Sequence, residues 1–298
     1  MNASAWIPLA LLSGFLMAVV GLVDKYVLTQ LVKSALVPLL VLGLVGLVPG
    51  LAILGLGGGT GLTWPRALLG LAAGLSFLAM GYFYFRAAQV EEISRVIPLF
   101  YLSPILVAAA AYLLLGEHFP PRKYLGIAGL ILGAFLVTSR WPPRFRLNRA
   151  FRLMLLAAVG LAAYGVATKY LLDFTDYWTV LALARVGMFL GVVPLLARAR
   201  HVMRTEAGGR RGLKVVGLMA ANEVLALAAS LFFTMAAARG PIALVNALTS
   251  TQPVFVFLLG LGLTLAAPRI LREDIRPRTL TLKVVSLLIM SAGLVMVL

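Results

Sequence analysis

Two ionisable side chains stand inside long apolar runs, where little water is available to solvate them. Arg185 interrupts TVLALARVGMF, and Glu223 interrupts GLMAANEVLALAA with Asn222 beside it. A charge at such depth is costly when unpaired, so each is a candidate for a partner or a function. The two runs are consecutive, which allows a buried ion pair. Such a pair either fixes helix packing or contacts a substrate. Alone, Glu223 is a candidate carrier of a coupling proton; beside Arg185 it is not.

Other polar residues form a second tier. Lys25 and Lys169 sit near the ends of apolar runs in the similar stretches GLVDKYVLTQ and GVATKYLLDF. Each either snorkels to the headgroups or faces one mouth of a shared cavity. Arg86 follows the aromatic run Tyr82–Phe85, and Arg95 lies four residues after Glu91, so interfacial anchoring and local pairing compete with a cavity role. Arg86, Arg95 and Arg185 facing inward together would favour an anionic or phosphate-bearing substrate. Asn246, Ser250 and Gln252, with Thr249 and Thr251, place a polar patch in one apolar run that would be costly against lipid. Pro98, Pro104 and Pro253 each remove a helical hydrogen bond and are candidate gating kinks.

The elements that must position these residues are membrane helices. Of 298 residues 62% are hydrophobic and 12% charged, with a mean hydropathy of +1.02. Soluble chains carry about 25% charged residues. Ten spans are expected: Trp6–Val23, Leu36–Leu56, Pro65–Ala87, Ser94–Leu115, Tyr124–Ser139, Phe151–Leu172, Trp178–Ala197, Leu213–Ala237, Ile242–Ala266 and Thr279–Leu298. Period-2 alternation is absent, which argues for helices over barrel strands. The net charge of +16 reads as orientation signal, not nucleic-acid recognition, because the arginines gather between apolar runs. There is no cysteine, His118 and His201 lie in polar connections, and the glycine run ending at Gly61 lacks the Lys-Ser/Thr of a nucleotide-binding loop. No cofactor, metal site or enzyme activity is expected.

The chain also repeats itself. Ala87–Arg140 contains two apolar runs around Gly116-Glu117-His118, and a weaker copy starts at Ala236, with Pro104 and Pro253 in register. Lys25 aligns with Lys169, and Leu132–Val137 aligns with Met290–Val295. Two units follow, residues 1–140 and 141–298. Five spans per unit is an odd number, so the copies would be inverted in the membrane, a geometry that gives an alternating-access transporter its two related gates. Basic residues concentrate after spans five, seven and nine, for example Arg144, Arg204 and Arg272. Counting them puts both termini on the other, non-cytoplasmic side.

The stretches Ser94–Val96, Tyr101–Glu117 and Gly126–Val137, with worn counterparts at Ser250–Pro253 and Ser291–Val295, resemble the EamA branch of the drug/metabolite transporter superfamily. The second copy has Ala266 near the position of Glu117. The resemblance implies a secondary exporter or exchanger of amino acids, metabolites, nucleotide sugars or sugar phosphates. It implies a central cavity among helices one to four and six to nine, with five and ten peripheral and both termini cytoplasmic. The expectation is therefore an all-α integral membrane protein of the inner or plasma membrane, ten helices in two inverted repeats. It would carry a small polar or anionic metabolite, with proton or exchange coupling. Flipping of a lipid-linked phosphate and a membrane enzyme acting on lipid phosphates are the alternatives.

Overall fold

The computed structural model describes residues 5–27, 31, 34, 36–56, 61–90, 99–138, 149–197, 209–266 and 277–297. Eleven α-helices run through them: α1 (Trp6–Tyr26), α2 (Leu36–Gly55), α3 (Trp64–Val90), α4 (Ser103–Leu115), α5 (Pro121–Thr138), α6 (Arg149–Leu172), α7 (Tyr177–Val192), α8 (Gly209–Arg239), α9 (Ile242–Thr249), α10 (Gln252–Ala266) and α11 (Pro277–Val297). Among the described residues seven segments are long and apolar enough to cross a bilayer, six of them in α1, α2, α3, α6, α7 and α8, and the seventh running from α9 into α10. Ser103–Leu115 and Thr281–Val297 are shorter apolar helices. The chain is thus a multi-pass, all-α membrane protein. Its outer surface is apolar: Leu113, Leu114 and Leu288 are exposed, as lipid-facing side chains should be.

Lipid is as apolar as leucine, so burial of leucine does little to hold membrane helices together; close packing does the work. Glycine lets it happen. A Cβ on Gly74 of α3 would lie 2.0 Å from the Ala184 carbonyl of α7, and one on Gly187 of α7 would lie 2.1 Å from the Leu71 carbonyl of α3. Gly126, Gly129 and Gly133 of α5 meet Gly293, Ser286 and Met290 of α11 in the same way. The principal pairs are α1 with α8, α3 with α6, α2 with α7, and α5 with α11. Helix α4 packs on α6 and α9, while α11 rests chiefly on α5 at the edge of the bundle.

The prolines behave differently from the sequence expectation. Pro104 occupies the first turn of α4, and Pro253 follows Gln252 at the start of α10. A proline there loses no helical hydrogen bond, because first-turn N–H groups have no intrahelical acceptor. Neither residue kinks a continuous helix; each starts a new one after a break, at Tyr101–Leu102 and at Ser250–Thr251. Pro98 lies outside the described residues.

Gly116 ends α4 in the left-handed region (φ 66°), a conformation glycine adopts without steric cost. The reversal it creates brings Glu117 to the start of α9. Its Oε1 accepts the Ile242 N–H at 2.7 Å and its Oε2 accepts the Ala243 N–H at 3.1 Å. A carboxylate there satisfies two orphan donors and meets the positive end of the helix dipole. The Gly-Glu turn is therefore a strap from the first half of the chain to the second.

Candidate functional site

Helix α7 begins with Asp176, whose carboxylate accepts the N–H groups of Trp178 and Thr179 and the Thr179 hydroxyl. Burial works against the Asp176 charge, but those hydrogen bonds outweigh it and hold its pKa below the ordinary carboxylate value. Two turns further along α7, Arg185 enters the interior and is 2% exposed. Gly46 and Gly50 of α2 leave the room for it: a Cβ on either would approach Arg185 side-chain atoms to 3.1 Å.

One face of α8 receives the guanidinium. Arg185 Nη1 donates to Glu223 Oε1 in a buried ion pair, and Nη2 donates to Ser230 Oγ at 2.8 Å and reaches the Ala226 carbonyl at 3.5 Å. Residues 223, 226 and 230 follow helical spacing, so they line one stripe of α8. The expected pairing of Arg185 with Glu223 is present, and Glu223 is 7% exposed. A charge pair at this depth persists only when hydrogen-bonded as well as paired. Arg185 Nε has no partner among the described residues.

One residue back on α8, Asn222 turns to α1. Its Nδ2 donates to Asp24 Oδ1 at 2.8 Å and reaches the Val20 carbonyl at 3.4 Å, while its Oδ1 is buried without a partner among the described residues. Asp24 is close enough to Glu223 for their charges to interact. Tyr84 of α3 is within the same electrostatic reach of Asp24. The result is a string of polar groups, Asp24–Asn222 and Glu223–Arg185–Ser230, running from α1 through α8 to α7. Sequence reasoning passed over Asp24. Its signal was a carboxylate near the end of the first apolar run, overshadowed by its neighbour Lys25.

The other candidates are placed as follows. Lys169 donates to the carbonyls of Ala237 at 2.8 Å and Gly240 at 3.1 Å, so it caps the C-terminus of α8. Arg86 is exposed and donates to Gln89 on its own helix, which sets it apart from Arg185. The polar patch is largely turned on the backbone: Ser250 and Thr249 donate to the Asn246 carbonyl, and Gln252 Nε2 donates to the Met17 carbonyl of α1 at 3.0 Å. Asn246 is buried on α9. The side chain of Lys25, and all of Arg95, lie outside the described residues. A separate open cleft of about 660 Å³ lies between α3, α4 and α6 and is lined by apolar residues such as Leu69, Leu106, Ala110 and Val159. No cluster of three or more potential metal ligands occurs among the described residues.

Comparison with known proteins agrees with this architecture. Across 98% of its length the chain superposes on 96% of a protein of known crystal structure, with a TM-score of 0.72 at 19% identity, a likeness of fold. It is 44% identical over 78 residues to an uncharacterized transporter in the cobO 3′ region of Sinorhizobium sp.. That match spans 26% of this chain and about half, 52%, of the relative. Residues 4–139 match the EamA-like transporter family. Over that stretch, a little under half of its length, the chain is similar to the EamA-like transporters.

Proposed function

We propose that the chain is a secondary transporter that carries a small polar metabolite across the inner or plasma membrane by alternating access. The observation that carries the reading is the buried string around Arg185. Five interacting polar side chains from three helices exceed what packing needs, and intramembrane ionisable residues mark substrate and ion pathways. Ten crossings arranged as two inverted units, residues 1–140 and 141–298, complete the reading. The helix pairing supports it. If α1 corresponds to α6 and α3 to α8, then the α1–α8 and α3–α6 contacts exchange with each other, as a pseudo-two-fold axis demands. The breaks before Pro104 and Pro253 fall at equivalent places in the two units.

The charge balance narrows the cargo. Arg86, Arg95 and Arg185 facing inward together would favour an anionic substrate, but Arg86 is exposed, Arg185 is neutralised by Glu223, and Arg95 lies outside the described residues. A polar substrate without a net negative charge fits this site better. The apolar cleft between α3, α4 and α6 includes no charged side chain among its lining residues, so it lends no support to a phosphate headgroup path.

The test is counterflow in proteoliposomes with labelled amino acids, nucleosides and sugar phosphates. Saturable flux of one class is expected, lost in Arg185→Lys and Glu223→Gln while the protein still reconstitutes. Leak-level flux for every class, or unchanged flux in both variants, would overturn the reading.

A further inference from the structure

Among the described residues the polar string is short of one positive charge. Two carboxylates, Asp24 and Glu223, share its interior, and the guanidinium of Arg185 is committed to Glu223, Ser230 and Ala226. Lys169 is committed to backbone carbonyls at the end of α8. Among the described residues Asp24 has an amide donor, Asn222 Nδ2, and no cation. Beside it Asn222, only 6% exposed, keeps a buried Oδ1 with no partner among the described residues. A partly buried carboxylate with no cation and a buried acceptor with no donor among the described residues meet at the α1–α8 interface, and each is unfavourable away from water. One occupant relieves both: a small group that carries a positive charge and donates hydrogen bonds.

The surroundings fit that occupant. Tyr84 of α3, within electrostatic reach of Asp24, packs edge-on against Phe100 with Phe85 beside it, so aromatic rings stand near the site, which favours a cation. A hard metal ion would want about six oxygens, and Asp24 with Asn222 Oδ1 supplies only a few. Among the described residues, the groups within electrostatic reach of Asp24 are Glu223 from α8, Tyr84 from α3 and, through Glu223, Arg185 from α7. Helices α9 and α10, which also pack on α1, bring Asn246 and Gln252, neither titratable. Lys25 follows Asp24 in the chain, its side chain lying outside the described residues.

We propose that Asp24 and Asn222 form a site for one hydrogen-bond-donating monovalent cation, held between α1 and α8 next to the Arg185–Glu223 pair. Two sources supply that chemistry, a proton bound to the Asp24 carboxylate and the ammonium group of an amine cargo. As a coupling or cargo site it rests on the transport reading, but occupancy is an equilibrium property and is tested without transport.

The experiment uses the full chain, purified in detergent, in two arms. The first is potentiometric titration of wild type against Asp24→Asn. The second is thermal unfolding with methylammonium, tetramethylammonium or sodium chloride at equal ionic strength. A proton source gives one Asp24-dependent proton bound between about pH 5 and 9, above the range of a surface carboxylate. An ammonium source gives stabilisation by methylammonium, not by tetramethylammonium, with an apparent affinity at least tenfold weaker in Asp24→Asn. Should Asp24→Asn fail to remain monodisperse, Asn222→Val takes its place, because it keeps the carboxylate and removes its polar neighbour; the same tenfold loss or a displaced proton titration is expected. Identical titrations together with no methylammonium effect overturn the proposal, and so does stabilisation by sodium alone. Intact cation binding with no flux of any substrate would instead fault the transport reading and leave this site standing.

Discussion

At the scale of single residues, Arg185 and Glu223 matter less as individual charges than as a pair. Taking either alone leaves its partner buried without compensation, a loss of about 3–5 kcal/mol. Replacing both by apolar residues of similar volume removes the desolvation cost along with the attraction. Arg185→Met and Glu223→Met should therefore each lower the denaturation midpoint strongly, while the double variant recovers most of the loss. Denaturant unfolding in detergent measures this, and additive losses would show that the two side chains do not depend on each other. Lys169 makes a contrasting case. Its ammonium holds the last carbonyls of α8, so Lys169→Met should cost about 1.5–3 kcal/mol in stability.

At the scale of elements, two helix starts are held by carboxylates of different reach. Asp176 caps its own helix, whereas Glu117 caps α9 from 125 positions earlier in the chain. Removing an N-cap costs about 0.5–2 kcal/mol. Glu117→Ala should fall at the upper end, since two charge-assisted hydrogen bonds are lost and the two halves lose a tie. Proteolysis or hydrogen exchange localised to α9 would detect it, and protection unchanged there would contradict the strap. For Asp176 the sign follows from its lowered pKa. The folded state binds the proton less readily than the unfolded chain, so the stabilisation is complete above about pH 4 and fades as pH falls through the folded value. Asp176→Asn should thus be less stable than wild type at pH 7 and converge with it at low pH, as read from melting temperature. The glycine contacts set a third limit. Gly187→Val would drive a side chain into the Leu71 backbone of α3, and misfolding or severe loss of thermal stability is the expected outcome.

At the scale of the whole molecule, the membrane arrangement makes a claim about sides. If the proposed ten crossings hold, both termini lie on one side and the basic stretch around Arg204 lies opposite them. The absence of cysteine gives a clean background for labelling. Cysteines introduced at Ala3 and Leu298 should react with an impermeant maleimide from one face of intact vesicles, and one at Arg204 from the other. Termini on opposite faces would eliminate the two five-helix units.

Much of this protein was legible in its sequence. Long apolar runs must form helices in a bilayer, because lipid offers no partner for a free N–H or carbonyl. That constraint acts on each segment alone, so composition determined the fold class. The rarity of charge at depth likewise singled out Arg185 and Glu223 before any contact was known. What the tertiary structure decided is which groups meet. Glu117 reads as the end of one helix until Gly116 turns it on another, and Pro253 reads as a kink until α9 is seen to stop ahead of it. Asp24 reads as no more than the neighbour of Lys25 until Asn222 appears from 198 positions away. Neighbours along the chain cannot reveal such partners. Which charge is satisfied and which is left wanting depends on distances between helices, and only their packing supplies those.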